Sequence, residues 1–526
     1  MKRQSILIVL CTLGSSMAMA QETYENANLM GTDLNGTARY VGMGGAMEAL
    51  GADISTMSSN PAGIGVFRKS QVVGSGGYVG QNGSFAGESK GTASLDQLGF
   101  VYAMRTGRSS FLNVGFNYHK SKNFKQILTA ANSLDGASQN KLSVAKGVEG
   151  LFNISENSSG TWVGDDYSFS QVDYLYYNAL LMNSETAQYT YYNASGYDFG
   201  RSSTGYIGTY DINLSGNQGD RFYWGLTVGL DDVHYNSYSR YAEQLAGDAA
   251  GSASLGTVTL ADSRSITGTG LNIKAGVIFR PMEASPFRIG LYVHTPTWYD
   301  LSTSNYTTLD NGSSVGEYDN GHSSESYDFR LATPWKFGAS LGHTVGSNLA
   351  LGLTYEYSDY GQTDTRVNEG GSDYYYDDYF YSASSSDKAM NEHTGRTLKS
   401  VSTLKAGLEY KPQTNLALRV GYNYVSPMFS SDGYKDGTIA SWGSYYSSST
   451  DYTNWKATNR FTVGVGYSYR GWNFDAAYAY SRTSGDFYPF TSYNAAASES
   501  YLDNIATATD VTSERHQLVF TLGYRF

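Results

Sequence analysis

The last eleven residues read HQLVFTLGYRF, His516 to Phe526. Leu518, Phe520, Leu522, Tyr524 and Phe526 fall on one side, with Gln517, Val519, Thr521, Gly523 and Arg525 on the other. A period of two with one apolar face predicts a half-buried β-strand. The pattern recurs upstream: Phe222, Trp224, Leu226, Val228 and Leu230 alternate in the same way, as do Leu349, Leu351, Leu353, Tyr355 and Tyr357. Phe461, Val463, Val465, Tyr467 and Tyr469 form another such face, followed at once by Trp472, Phe474, Ala476, Tyr478 and Tyr480. The opposing faces hold Gly, Asn, Thr, Ser and occasional charges, which suits a polar lumen better than a dry core.

Fourteen such strands are predicted, over 70–81, 97–106, 109–120, 203–215, 221–236, 266–280, 286–297, 325–343, 348–360, 396–411, 415–426, 457–470, 471–482 and 513–526. Six of the thirteen connections are short and alternate with seven long ones. An even count with short turns at one end and long loops at the other is the layout of an all-β, 14-stranded antiparallel transmembrane β-barrel in the outer membrane of a Gram-negative bacterium, with both barrel termini periplasmic. A soluble sandwich would also alternate, but it leaves that parity unexplained. The composition agrees: 47 Tyr, 22 Phe and 60 Gly, but only 8 Pro. After the first twenty residues no apolar run approaches the ~18 to 20 residues that a membrane helix needs. The aromatic C-terminus, Leu518 to Phe526, resembles the sorting signal that outer-membrane barrels present to their assembly machinery.

The opening MKRQSILIVLCTLGSSMAMA has a basic start, an apolar centre and Ala-Met-Ala at its end, so residues 1–20 read as a secretory signal cut after Ala20. The only cysteine, Cys11, lies within it, so the mature chain offers neither a disulfide nor a thiolate metal ligand. Removing Lys2 and Arg3 leaves 34 basic residues against 48 acidic ones, a net charge of 34 − 48 = −14. An acidic exported chain is a poor nucleic-acid binder. No G-x-S-x-G elbow or compact Ser/His/acid cluster is visible, so nothing points to an enzyme, and no cofactor or metal site is expected.

Residues 21–69 precede the first strand. In SSNPAGIGVF, Ser58 to Phe67, Asn60 is a good N-cap, Pro61 suits the first helical position, and Gly63 and Gly65 permit a sharp turn. Small residues around Val41, Met43, Met47 and Leu50 allow close packing in a confined space. The segment is of the right kind to be a plug inside the lumen; a periplasmic tail is the alternative. Residues 70–526 form the barrel with seven long extracellular loops. Within the loop 121–202, Phe124, Ile127, Leu128, Ala131 and Leu134 follow helical spacing, and Leu142, Val144, Val148 and Leu151 predict a second amphipathic helix. Phe124, Ile127, Leu128, Leu134, Leu142, Val148 and Leu151 are therefore candidates for an apolar groove that admits substrate. The other long loops are rich in Tyr and Ser, as in GGSDYYYDDYFYSASSSDKAM at 370–390.

The stretch GGAMEALGADISTMSSNPAGIGVF, 44–67, resembles the N-terminal hatch signature of the FadL-type outer-membrane transporters of long-chain fatty acids and other hydrophobic compounds. Asp53, Ser59, Asn60, Pro61, Ala62 and Gly63 match its core, and Gly44, Gly45 and Ala46 its small-residue opening. Looser likenesses lie at YVHTPTWYDL, 292–301, and LATPWKFGASLG, 331–342. The tyrosine load resembles members in Bacteroidetes-type bacteria, sometimes labelled hemin receptors. The resemblance implies a fourteen-stranded barrel with an N-terminal plug. It also implies passive uptake of a hydrophobic small molecule by a monomer among outer-membrane lipids, with Asp53 and Ser59 to Gly63 as plug and gate. Two alternatives remain: a hemin receptor using His294, His322 or His393 as axial ligand, and a surface adhesin or structural barrel.

Overall fold

A computed structural model describes residues 21–183, 185–247, 254–316, 319–368, 384–495 and 497–526. The expected signal segment and much of the loop 370–390 lie outside the described residues. Fourteen antiparallel strands close on themselves: β1 (Gln71–Gln81), β2 (Gly91–Arg105), β3 (Phe111–Asn123, continued by Gln126–Ser133), β4 (Ala194–Gln218), β5 (Phe222–Leu245), β6 (Gly256–Phe279) and β7 (Arg288–His294, continued by Trp298–Ser313), followed by β8 (Asn320–Ala332 and Lys336–Val345), β9 (Leu349–Asp359, continued by Asp364–Asn368), β10 (Ser400–Gln413), β11 (Leu416–Val425), β12 (Tyr452–Tyr469), β13 (Trp472–Tyr488) and β14 (Thr509–Arg525). Each strand pairs with its neighbours in sequence, and β14 pairs with β1 from Arg525 opposite Gln71 to Arg515 opposite Gln81. Closure leaves no free edge, which satisfies the backbone inside lipid.

The expected alternation is realised. On β5, Phe222, Trp224, Leu226, Val228 and Leu230 all face outward and are exposed, whereas Tyr223, Thr227 and Asp231 are buried inside. On β14, Leu518, Phe520 and Leu522 lie outside and Gln517, Val519 and Thr521 inside. A polypeptide surface dressed in this many exposed Leu, Val, Phe and Tyr side chains matches a lipid-facing belt. Among the described residues no helix is long and apolar enough to cross a membrane.

The strands run further than the apolar pattern predicts. β4, β5 and β6 have 25, 24 and 24 residues, far beyond the ~10 needed to cross a bilayer. Above the lipid the outer face turns polar, so the alternation that marks the strand fades while the hydrogen-bonded ladder continues. The same effect hides Trp298–Ser313 and lengthens β8 back to Asn320. The expected single strand 325–343 is broken between Ala332 and Lys336, where Pro334 cannot donate to the ladder, and Pro296 breaks β7 likewise.

One expectation is corrected. The helical spacing of Phe124 to Leu134 belongs to a strand: Gln126–Ser133 pairs with β4 from Gln126 opposite Ser203 to Ser133 opposite Gly196. The neighbouring strand supplies a complete set of backbone partners, which outweighs the weak helical pattern of a short segment. The second expected helix is present as α3 (Gln139–Val148), and α4 (Gln171–Tyr176) follows it with a wide turn, Tyr177–Leu181. Phe152 meets Phe169 edge-to-face at 4.9 Å, and Leu175, Tyr176, Tyr177 and Leu180 are almost fully buried around them. The long loops thus share an apolar core with the inward faces of the strand extensions, among them Tyr197 and Phe199 of β4, Tyr241 of β5 and Phe487 of β13.

Candidate functional site: a filled lumen

Residues 21–67 lie against the inward faces of the strands and descend the lumen from the long-loop end to the short-turn end. At the top, α1 (Thr23–Leu29) is capped by Glu22, whose carboxylate accepts from the backbone of Tyr24 at 2.9 Å and Glu25 at 3.3 Å. Its Tyr24 ring stacks on Phe429 at 5.1 Å, and the Tyr24 hydroxyl donates to Asn454 at 2.8 Å. Arg264 of β6 pairs with Glu25. Lower down, Asp33 meets Arg515 of β14 at 3.0 Å and accepts from the Asn123 backbone at 3.0 Å. Burial pushes the Asp33 carboxyl up, but Arg515 and Arg460 outweigh it and hold the group below the usual carboxylate range.

Mid-lumen, a short helix α2 (Ala38–Gly42) is capped by Thr37, whose hydroxyl accepts from the Tyr40 backbone. Arg39 is held by Glu409 of β10 through two contacts, at 2.9 and 3.1 Å, and Glu409 also meets Arg419 of β11 at 2.7 Å. Glu48 accepts from Tyr40 at 3.0 Å and Thr354 at 2.7 Å, and pairs with Lys405 at 3.0 Å. Buried charges are tolerated only when paired in this way. Arg39 and Glu48 were not among the expected site residues. Their signal was present: ionic side chains set in a run of small and apolar ones must find partners once enclosed.

The expected plug residues come together at the foot of the lumen. Asp53 accepts from the Thr37 hydroxyl at 2.8 and 2.9 Å and from the Ser55 backbone at 3.0 Å, capping the turn Ile54–Ser58. Asn60 caps Pro61–Val66 by accepting from Ala62 N at 3.2 Å, while its amide donates to the carbonyls of Glu48 at 3.0 Å and Val277 at 3.4 Å. The Ser59 carbonyl accepts from His294 at 2.6 Å. Ala62 and Gly63 are enclosed, and the Asn113 amide reaches Ile64 O at 2.7 Å.

Between the plug and the wall lies a cavity of about 560 Å³, lined on the plug side from Glu22 to Ser59. Tyr24, Leu29, Met30, Phe124, Ile266 and Phe429 give it apolar surface, and Lys122, Lys274, Lys336, Lys405, Arg460 and Arg515 bring cationic groups to the same wall, Lys122 lying 5.5 Å from the Phe124 ring centre. Basic residues outnumber acidic ones in its wall, although the chain as a whole is acidic. Of the residues expected to form an apolar groove, Phe124 and Leu128 reach this cavity. Leu134 is buried in the loop core, and Leu142, Val148 and Leu151 pack against it, with Leu142 also lining a separate space among the long loops. His294 is engaged by Ser59, and both ring nitrogens of His393 meet protein partners: Thr23 at 2.9 Å on one, and the Tyr434 carbonyl and Thr397 on the other. His322 sits beside Tyr306 at 5.7 Å. Among the described residues no three His, Cys, Asp or Glu gather to hold a metal.

No family model and no curated protein matches the chain. Solved structures similar to it include the Ralstonia pickettii toluene transporter TbuX, with 12% identity over 94% of this chain and 99% of that one at a TM-score of 0.48. A Pseudomonas aeruginosa FadL homologue is 13% identical over 98% of this chain and 100% of its own, at 0.49. The Pseudomonas putida toluene transporter TodX is 12% identical over 94% and 98%, at 0.45. Strand number and closure stand on the hydrogen-bonded registers described above.

Proposed function

We propose that this protein is a passive outer-membrane channel for hydrophobic small molecules, long-chain fatty acids or similar amphiphiles, with its short turns and both barrel termini in the periplasm. The observation that carries this reading is the filled lumen: a segment tied to the wall from Asp33 to Asn60 blocks free diffusion, yet a cavity of about 560 Å³ remains between it and the wall. An open water-filled pore would not need such a cavity, and an adhesin would not need the plug. A wall that carries both apolar surface and an excess of cationic groups suits a molecule with a greasy tail and an acidic head. Each methylene buried contributes about 0.8 kcal/mol, so a long chain binds usefully even in a partly polar site.

Transfer past the plug then requires the foot of the lumen to yield, and we assign the gate to the Asn60–Pro61 turn. No chemical step is involved, and an exported barrel has no direct access to ATP. Hemin capture is less well supported, because His294 and His393 are already engaged by protein partners. The decisive experiment measures uptake of labelled oleate by bacteria lacking their own transporter, with and without this protein at verified surface levels and with hemin as competitor. Uptake above the empty strain that hemin leaves unchanged supports the reading; hemin binding without oleate uptake overturns it.

A further inference from the structure

A second cavity, of about 620 Å³, opens among the long loops, between α3, the loop after β11 and the loop after β13. Three residues line both it and the lumen cavity: Lys435, Ser449 and Tyr452. The partition between the two spaces is therefore only these side chains thick. Lys435 is 5% exposed, and its ammonium donates to the Ser449 carbonyl at 2.6 Å and hydroxyl at 3.2 Å. The Thr491 hydroxyl donates to the Lys435 carbonyl, which ties the loop after β11 to the loop after β13. Tyr452 is stacked on Tyr488 at 4.8 Å on the loop side and touches Tyr24 of the plug at 5.1 Å on the lumen side.

We propose that Lys435 is the latch of the outer passage: its bond to Ser449 closes the neck between the loop vestibule and the lumen cavity, and its release joins the two. Three features fit this role. The latch is a single side chain bridging backbone across one loop, so it opens by rotamer changes without unfolding a strand. Lys435 makes no direct ion pair with a carboxylate among the described residues and its ammonium is bonded only to the neutral oxygens of Ser449, so an incoming molecule displaces it more readily than it would a contacting buried ion pair. The neck also stands directly over the top of the plug. Burial lifts the Glu22 carboxyl above its ordinary range, and Lys435 is the foremost group pulling it back. The position of the latch is thereby felt at the cap of α1.

The inference rests on the transport reading, so the test separates the two. The chain's single cysteine, Cys11, lies in its first twenty residues. A Lys435→Cys, Ser449→Cys double variant can therefore be joined across the neck by a short bis-methanethiosulfonate reagent and released by reductant. Purified protein in planar bilayers is read by ion conductance, and cells by uptake of labelled oleate. The expected result is that linkage lowers both, that reduction restores both, and that Lys435→Met raises the open fraction roughly tenfold, the scale of one charged hydrogen bond. Conductance that is unchanged by verified linkage, or by Lys435→Met, overturns the latch. Wild-type protein that fails to carry oleate, while conductance still follows the linkage, overturns the cargo and leaves the latch standing.

Discussion

A side chain on Gly276 would bring its Cβ to 2.0 Å from the Oδ1 of Asn60. The barrel wall at this point has no room for anything but glycine, because the plug's turn lies flat against it. The same holds one strand over, where a Cβ on Gly225 would meet the Pro61 carbonyl carbon at 2.4 Å. The turn is seated in the wall as much as it is folded on itself.

Gly276→Val should dislodge the turn while leaving the strands paired. Overpacking at a closed contact costs about 1–3 kcal/mol. The expected outcome is a barrel that still shifts on heating in gel electrophoresis, with raised conductance in planar bilayers. Conductance equal to the wild type would show that the turn accommodates the side chain.

Asn60→Ala removes one cap and two ties to carbonyls. Loss of an N-cap costs about 1 kcal/mol. Amides of residues 54–67 should exchange faster, surface levels should hold, and oleate uptake should change. Normal uptake at normal surface levels would remove Asn60 from the gate.

Glu409→Gln leaves Arg39 and Arg419 enclosed with less negative charge. Breaking a buried ion pair on one side costs about 3 kcal/mol or more. Thermal unfolding should drop accordingly, and proteases should reach the plug. A melting temperature within a degree or two of the wild type would mean that Asp475, which meets Arg419 at 2.6 Å, carries the charge alone.

The pH response of the upper plug follows from Asp33. Its folded carboxyl titrates below the ordinary range, so the tie to Arg515 is fully present above the unfolded pKa and is lost as pH falls through the folded one. Hydrogen exchange of residues 30–36 should stay flat from neutral pH down through mild acid and rise only below the usual carboxylate range. Asp33→Asn should abolish that dependence; a rise already at mild acidity would contradict the assignment.

Leu175→Ala tests the loop core. Leu175 is 1% exposed, and such truncations cost about 2–5 kcal/mol locally. Protease nicking between 134 and 193 should increase while barrel melting changes little, because the strands stay paired through their own ladders even though Tyr197, Phe199, Tyr241 and Phe487 share that core. Loss of the barrel itself would show the two to be one cooperative unit.

The sequence by itself determined what repeats. Alternation with an apolar outer face exists because lipid demands it of every second residue, so all fourteen strands were legible where they cross the membrane. Asn60 before Pro61 was legible as a capped turn because capping is decided within four residues. Above the lipid no solvent enforces the pattern, and the extensions of β4 to β8 became visible only through their ladders. The segment Phe124–Leu134 fits a helix or a strand equally well in isolation, and the neighbouring β4 decided it. Only the tertiary structure brought Arg39 to Glu409, Asp33 to Arg515 and Lys435 to Ser449, for these contacts join a plug or loop to distant partners that no local rule relates. The seat of Asn60 against Gly276 belongs to the same class: each residue reads as a turn or strand feature alone, and barrel closure alone makes them touch.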